Sequence, residues 1–97
     1  MKLSAAIRAG IGQTKQAREV YQDAAGGLCA LGAAMVGMGL RPTQIHDLRR
    51  LCADMYERVT CPHCHCVVPL QDAVTCLNDN AEWSRSRIAD WLEAQKL

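Results

Sequence analysis

Ninety-seven residues, 49% hydrophobic and 22% charged with a formal net charge of +1, suffice for one globular domain. That balance excludes a disordered tail, a collagen-like repeat and broad charge-driven binding to nucleic acid, and leaves only a local basic patch for that role. The core of so short a chain is thin, burying about 60–68% of the unfolded surface; with two Trp, two Tyr and no Phe it lacks large rings, and six cysteines are the available compensation.

The first ten residues hold one Lys and a short apolar stretch broken by Arg8, too little for a signal peptide. Ser4 is the expected N-cap of a helix running to about Ala9, ended by Gly10 and Gly12. Residues 13–21 read as a polar, weakly amphipathic helix, closed by Gly26 and Gly27. The uncharged stretch from Ala24 to Leu40 is too short and glycine-rich for a spanning helix, which needs about 20 apolar residues. Within it Leu28, Leu31, Met35 and Met38 recur at helical spacing among small residues, which predicts a central helix that others approach closely. A cytoplasmic location is expected, where thiols stay reduced and serve a metal, a redox reaction or the core.

The strongest helical pattern spans 43–57. Thr43 follows Pro42 as N-cap, and Ile45, Leu48, Leu51, Cys52 and Met55 form one stripe opposite Asp47, Arg49, Arg50, Asp54 and Arg58. Residues 61–66, Cys-Pro-His-Cys-His-Cys, are too tight and polar for regular structure, and Val67-Val68 leaves room for a small hairpin. Leu70, Ala73, Val74 and Leu77 mark a short helix interrupted at Asn78-Asp79-Asn80. The last helix starts at its N-cap Ser84, with Trp83 and Ile88 placed as a hydrophobic staple, and continues through Trp91 and Leu92. The expected fold is therefore a mostly α single domain over residues 1–97. Its N-terminal region, residues 1–58, is helical, and residues 59–97 hold a metal knuckle and the C-terminal helices.

Cys61 and Cys64 have the spacing with which two thiolates chelate one tetrahedral ion across a tight turn. Cys76, twelve residues on, matches a zinc-finger-like third ligand. Three to five residues beyond it stand Asp79, Asn80 and Ala81, so the fourth ligand is Cys66 by first choice and Cys52 by second. His63, His65, Cys29, a carboxylate of Asp79 or a water are the other options. The plain reading of Cys29 and Cys52 is as small core hydrophobes, and of His46 as a surface residue. The expected cofactor is structural Zn2+.

Cys-Pro-His-Cys also serves thiol-disulfide oxidoreductases, but there a strand feeds the motif and a helix starts at it; no such context surrounds Cys61. No Ser-His-Asp set, paired carboxylates or dinucleotide loop stands out. Arg85 and Arg87 occupy the first turn of the last helix, where a recognition helix places base contacts; the competing reading is a solvated face beside Glu82, Asp90 and Glu93.

Three segments together are suggestive: Lys2–Gly10, Cys29–Ala34, and Leu77-Asn78-Asp79 followed by Trp83-Ser84-Arg85 and Ile88-Ala89-Asp90-Trp91. With the Cys-x-x-Cys pair, the chain resembles small uncharacterised proteins of Mu-like phages and prophages, over nearly its whole length. The resemblance implies a Cys-Cys-His-His zinc site with His at the position of Cys76 and a second His near Ala81. This chain offers Cys76 as a replacement and leaves the last position to another residue. Asn78 and Asp79 would cap and turn the chain, and Trp83 and Trp91 would anchor the last helix against the knuckle.

The expected function is that of a non-enzymatic zinc-binding accessory protein that binds another macromolecule. The alternatives are a DNA-binding regulator using Ser84–Leu92 and a thiol-disulfide oxidoreductase. A protein or DNA partner is expected, without a membrane or a small-molecule substrate. A homodimer is expected if the apolar face around Met35 and Met38 is left uncovered.

Overall fold

A computed structural model describes residues 2–97. In chain order it comprises α1 (Leu3–Ile11), α2 (Ala30–Gly37), α3 (Ile45–Leu51), a 3-10 turn (Ala53–Tyr56), strands β1 (Arg58–Thr60) and β2 (Val67–Pro69), α4 (Leu70–Asp79) and α5 (Arg85–Ala94). Helices account for about half of the chain, and β1 and β2 pair antiparallel with Val59 opposite Val68. The mostly helical expectation therefore holds with an addition: the hairpin that frames the knuckle is formed. Among the described residues no helix is long and apolar enough to cross a membrane.

The centre of the fold is α1 against α2, with α5 also packed on α1. Backbones touch because small residues face each other. A Cβ on Gly10 would stand 1.5 Å from the Ala33 carbonyl oxygen, and one on Gly37 would stand 2.0 Å from that of Ala6. Gly10 is thus a contact point inside α1 and not its end, which falls at Gly12 with φ +48°. Ser4 is likewise no cap. It sits buried in the first turn after the N-cap Lys2, and its hydroxyl donates to the Leu97 carbonyl at 3.1 Å.

The helix expected over 13–21 is absent. Its backbone groups find partners across the chain instead: Ala17 N–H donates to Leu28 O (3.1 Å), Leu28 N–H to Lys15 O (2.8 Å) and Cys29 N–H to Tyr21 O (3.1 Å). Glu19, at φ +66°, is incompatible with a right-handed helix. Tertiary pairing overrides the weak local propensity of this segment.

The helix expected over 43–57 divides at Cys52, where φ −119° and ψ 76° leave the helical region. Gln44, not Thr43, stands at the N-terminus, where it accepts from Arg41 N–H at 2.8 Å and donates to Asp47 at 2.9 Å. Leu48, Cys52 and Met55 keep their inward stripe, but Leu51, the last residue of α3, lies outward, 49% exposed. In α4 Leu70, Ala73, Val74 and Leu77 are buried as expected, but the helix continues through Asn78 and Asp79 and ends at Asn80 instead of breaking at Asn78. Met35 is fully buried, while Met38 packs half-buried on the core beside the exposed Val36.

Candidate metal centre

The hairpin register places the knuckle. Pairing of Thr60 with Val67 closes residues 61–66 into a loop. Within it Cys61 N–H donates to Cys66 O and His65 N–H to Cys61 O, both at 2.9 Å, with His65 at φ +62°. Leu70 N–H donates to Glu57 O at 2.7 Å, which fixes the start of α4 against the hairpin. Farther along, α4 presents Cys76 to the loop. The Sγ atoms of Cys61, Cys64 and Cys76 all lie within 4.8 Å of one another.

This donor set fits a zinc ion. Tetrahedral thiolate coordination at about 2.3 Å places sulfurs about 3.8 Å apart, within reach of a slight closing of the three side chains. Burial is graded from Cys61, fully enclosed, through half-buried Cys76 to exposed Cys64. Cys66, also exposed, lies beside this group, its thiol directed to the Cys64 carbonyl at 3.6 Å. All six cysteines are free thiols.

The electrostatics separate the sulfurs. The backbone N–H of Cys66 favours the Cys64 thiolate and lowers its pKa. Cys66, hydrogen-bonded to Cys64, is raised, and burial raises Cys76. A crowded set of thiols that cannot all ionise together is what a divalent cation relieves.

The other candidates for the fourth position stand elsewhere. Cys52 is buried in the core, where burial raises its pKa, and Cys29 is buried at the N-cap of α2, its sulfur accepting from Gly32 N–H at 3.3 Å. His63 and His65 are exposed on the loop, and Asp79 accepts from Glu19 N–H at 2.8 Å; none of the three joins the sulfur group. His46 is exposed on α3, as expected.

Arg85 and Arg87 differ in where they point. Ser84 caps α5 as expected, accepting from Arg87 N–H at 3.1 Å. Arg85, 7% exposed, turns inward: its guanidinium donates to the carbonyls of Thr14 and Leu28 and to the Thr14 hydroxyl, so it is not available as a base contact. Arg87 remains outside with its guanidinium 3.9 Å above the Trp83 ring. The expected anchoring of α5 against the knuckle is corrected as well, because α5 packs chiefly on α1 and less on α4.

Sequence reasoning missed the role of Asn78. It is 2% exposed inside α4, donates to Ala17 O (2.9 Å) and accepts from Ala30 N–H (3.1 Å) and Gln16 Nε2 (2.8 Å). It therefore ties the irregular 12–28 segment to α4 and caps an α2 donor, in place of the helix-ending turn expected of it. A polar residue in register with Val74 and Leu77 was the available signal.

No protein-family model matches this chain, and no curated protein or solved structure matches it either.

Proposed function

We propose that the chain is a zinc-stapled, non-enzymatic binding module of the phage or prophage accessory kind, acting on another macromolecule. The observation that carries the metal reading is the convergence of Cys61 and Cys64 in the hairpin loop with Cys76 on α4. Cys66 completes the set by a rotation of its exposed side chain. Four thiolates close the coordination sphere, which suits a structural ion and leaves no position for substrate. The ion holds the hairpin on α4 in a domain whose core is short of large rings. The cytoplasm, which keeps thiols reduced, is the compartment this reading requires.

The two alternatives have weaker support. Thiol-disulfide exchange needs an accessible first thiol at a helix start, whereas Cys61 is fully buried between β1 and the loop. DNA reading by the first turn of α5 loses Arg85 to the interior, with Arg87 alone left outside.

Cobalt substitution tests the proposal. The protein is expected to bind one Co2+ with tetrahedral visible bands and a thiolate charge-transfer band, and Cys66→Ser is expected to reduce that band by about a quarter. Full retention in Cys66→Ser assigns the fourth position elsewhere, and full retention in Cys64→Ser refutes the site. Binding to duplex DNA that is salt-sensitive and lost in Arg87→Ala would favour the regulator instead.

A further inference from the structure

The fold contains a cleft of about 580 Å3 that the metal reading does not use. Its walls come from the 19–22 segment, the start of α2, the Pro42-Thr43 turn and one face of α4. Cys76 lies on a different face of that helix and does not line it. The volume is within the range of small-molecule sites, which are concave, mainly apolar and carry a few polar groups that fix orientation.

The lining has that mixture. Val20, Tyr21 and Pro42 supply apolar surface, over a buried floor that includes Leu31 and Val74. Val20 and Tyr21 stand 48% and 37% exposed at its edge, an unusual cost for a chain so poor in large apolar side chains. Cys29, 8% exposed, also lines the cleft, and burial keeps its thiol neutral.

The charge of the lining is one-sided. Glu19 and Asp79 are its ionisable carboxylates, and no lining residue is Lys, Arg or His. Among the described residues the ion pairs are Arg8 with Asp90 and Glu93, and Arg50 with Asp47, so neither lining carboxylate is paired. Arg18 directs its guanidinium to the carbonyls of Asn78, a lining residue, and Glu82, so a cation stands at the Asp79 end of the cleft and Glu19 is the carboxylate left open to a ligand. Asp79 Oδ1 accepts from Glu19 N–H at 2.8 Å and from Asn78 Nδ2 at 2.7 Å, which sets Glu19, at φ +66°, beside it at the cleft.

From this geometry we infer that the cleft binds a small organic cation with an apolar body, an aralkylammonium by chemical class. The body lies on the exposed Val20 and Tyr21 with Pro42, over the buried Leu31 and Val74, and the ammonium meets Glu19. A partly desolvated site strengthens that ion pair over one in open water. The inference is independent of the metal.

Amide chemical-shift titration of the full-length, metal-loaded chain with benzylamine, benzyl alcohol and benzoate tests it. Benzylamine is expected to give saturable shifts confined to the cleft residues, with benzyl alcohol weaker and benzoate absent. Glu19→Gln, whose side chain makes no hydrogen bond that the fold uses, is expected to weaken benzylamine about three- to tenfold with an unchanged melting temperature. Thr75→Arg, which puts a cation in the lining, is expected to abolish binding. No saturation, benzoate binding as tightly as benzylamine, or equal affinity in Glu19→Gln overturns the inference.

Discussion

Arg85 shows how a residue that looks functional in sequence becomes structural in space. Its charge is 7% exposed and has no carboxylate partner; the carbonyls of Thr14 and Leu28 compensate it. Burial of the guanidinium lowers its pKa, yet an arginine stays charged, so removing its acceptors or its head group leaves unsatisfied groups behind. Arg85→Met is expected to destabilise the protein by about 2–3 kcal/mol, measured by urea unfolding, with the 12–28 segment losing amide protection first. At Gly10 the constraint is steric. A methyl group there meets the Ala33 carbonyl, so Gly10→Ala forces α1 and α2 apart and is expected to cost about 1–3 kcal/mol or more. The same substitution at Gly12 meets no atom within 4 Å, and its penalty comes only from the positive φ.

Among the elements, α4 and α5 were legible because apolar spacing and the Ser84 cap are local signals; both are realised, with α4 extending through Asp79, past the expected interruption at Asn78. The knuckle was legible for the same reason, since Cys61 and Cys64 lie within one turn. The 12–28 segment was not. Its backbone is satisfied by Leu28, Asn78 and Arg85, most of them distant in sequence, and nothing in its own pattern announces them. The break at Cys52 was hidden too, because the inward stripe of Leu48, Cys52 and Met55 continues across it. Thiol chemistry checks this layout. In metal-free protein under native conditions, alkylation followed by mass spectrometry is expected to modify Cys64 first. Its pKa is lowered and it is exposed, so its thiolate persists to lower pH than that of Cys66 or Cys76, whose pKa values are raised. Cys29 and Cys52 are buried with raised pKa values and are expected to react only on unfolding.

At the scale of the molecule, two substructures meet at α4. Helices α1, α2 and α5 form a packed body of small and aliphatic residues, while the hairpin and the 3-10 turn rest on α4. Strands of three residues are too short to persist unaided. On the proposed reading, an ion held by Cys61, Cys64 and Cys76 would supply what they lack; zinc binding contributes on the order of 10 kcal/mol in small zinc-finger peptides. Because thiolate ligands must be deprotonated, that contribution would be lost as acid protonates the sulfurs and releases the metal. The most direct measurement combines metal analysis of protein purified without added zinc with thermal unfolding before and after chelation. One zinc per chain is expected, with a lower melting temperature in chelator and loss of the hairpin amides before those of α1 and α2. A chain that carries no ion and melts identically in chelator contradicts the account.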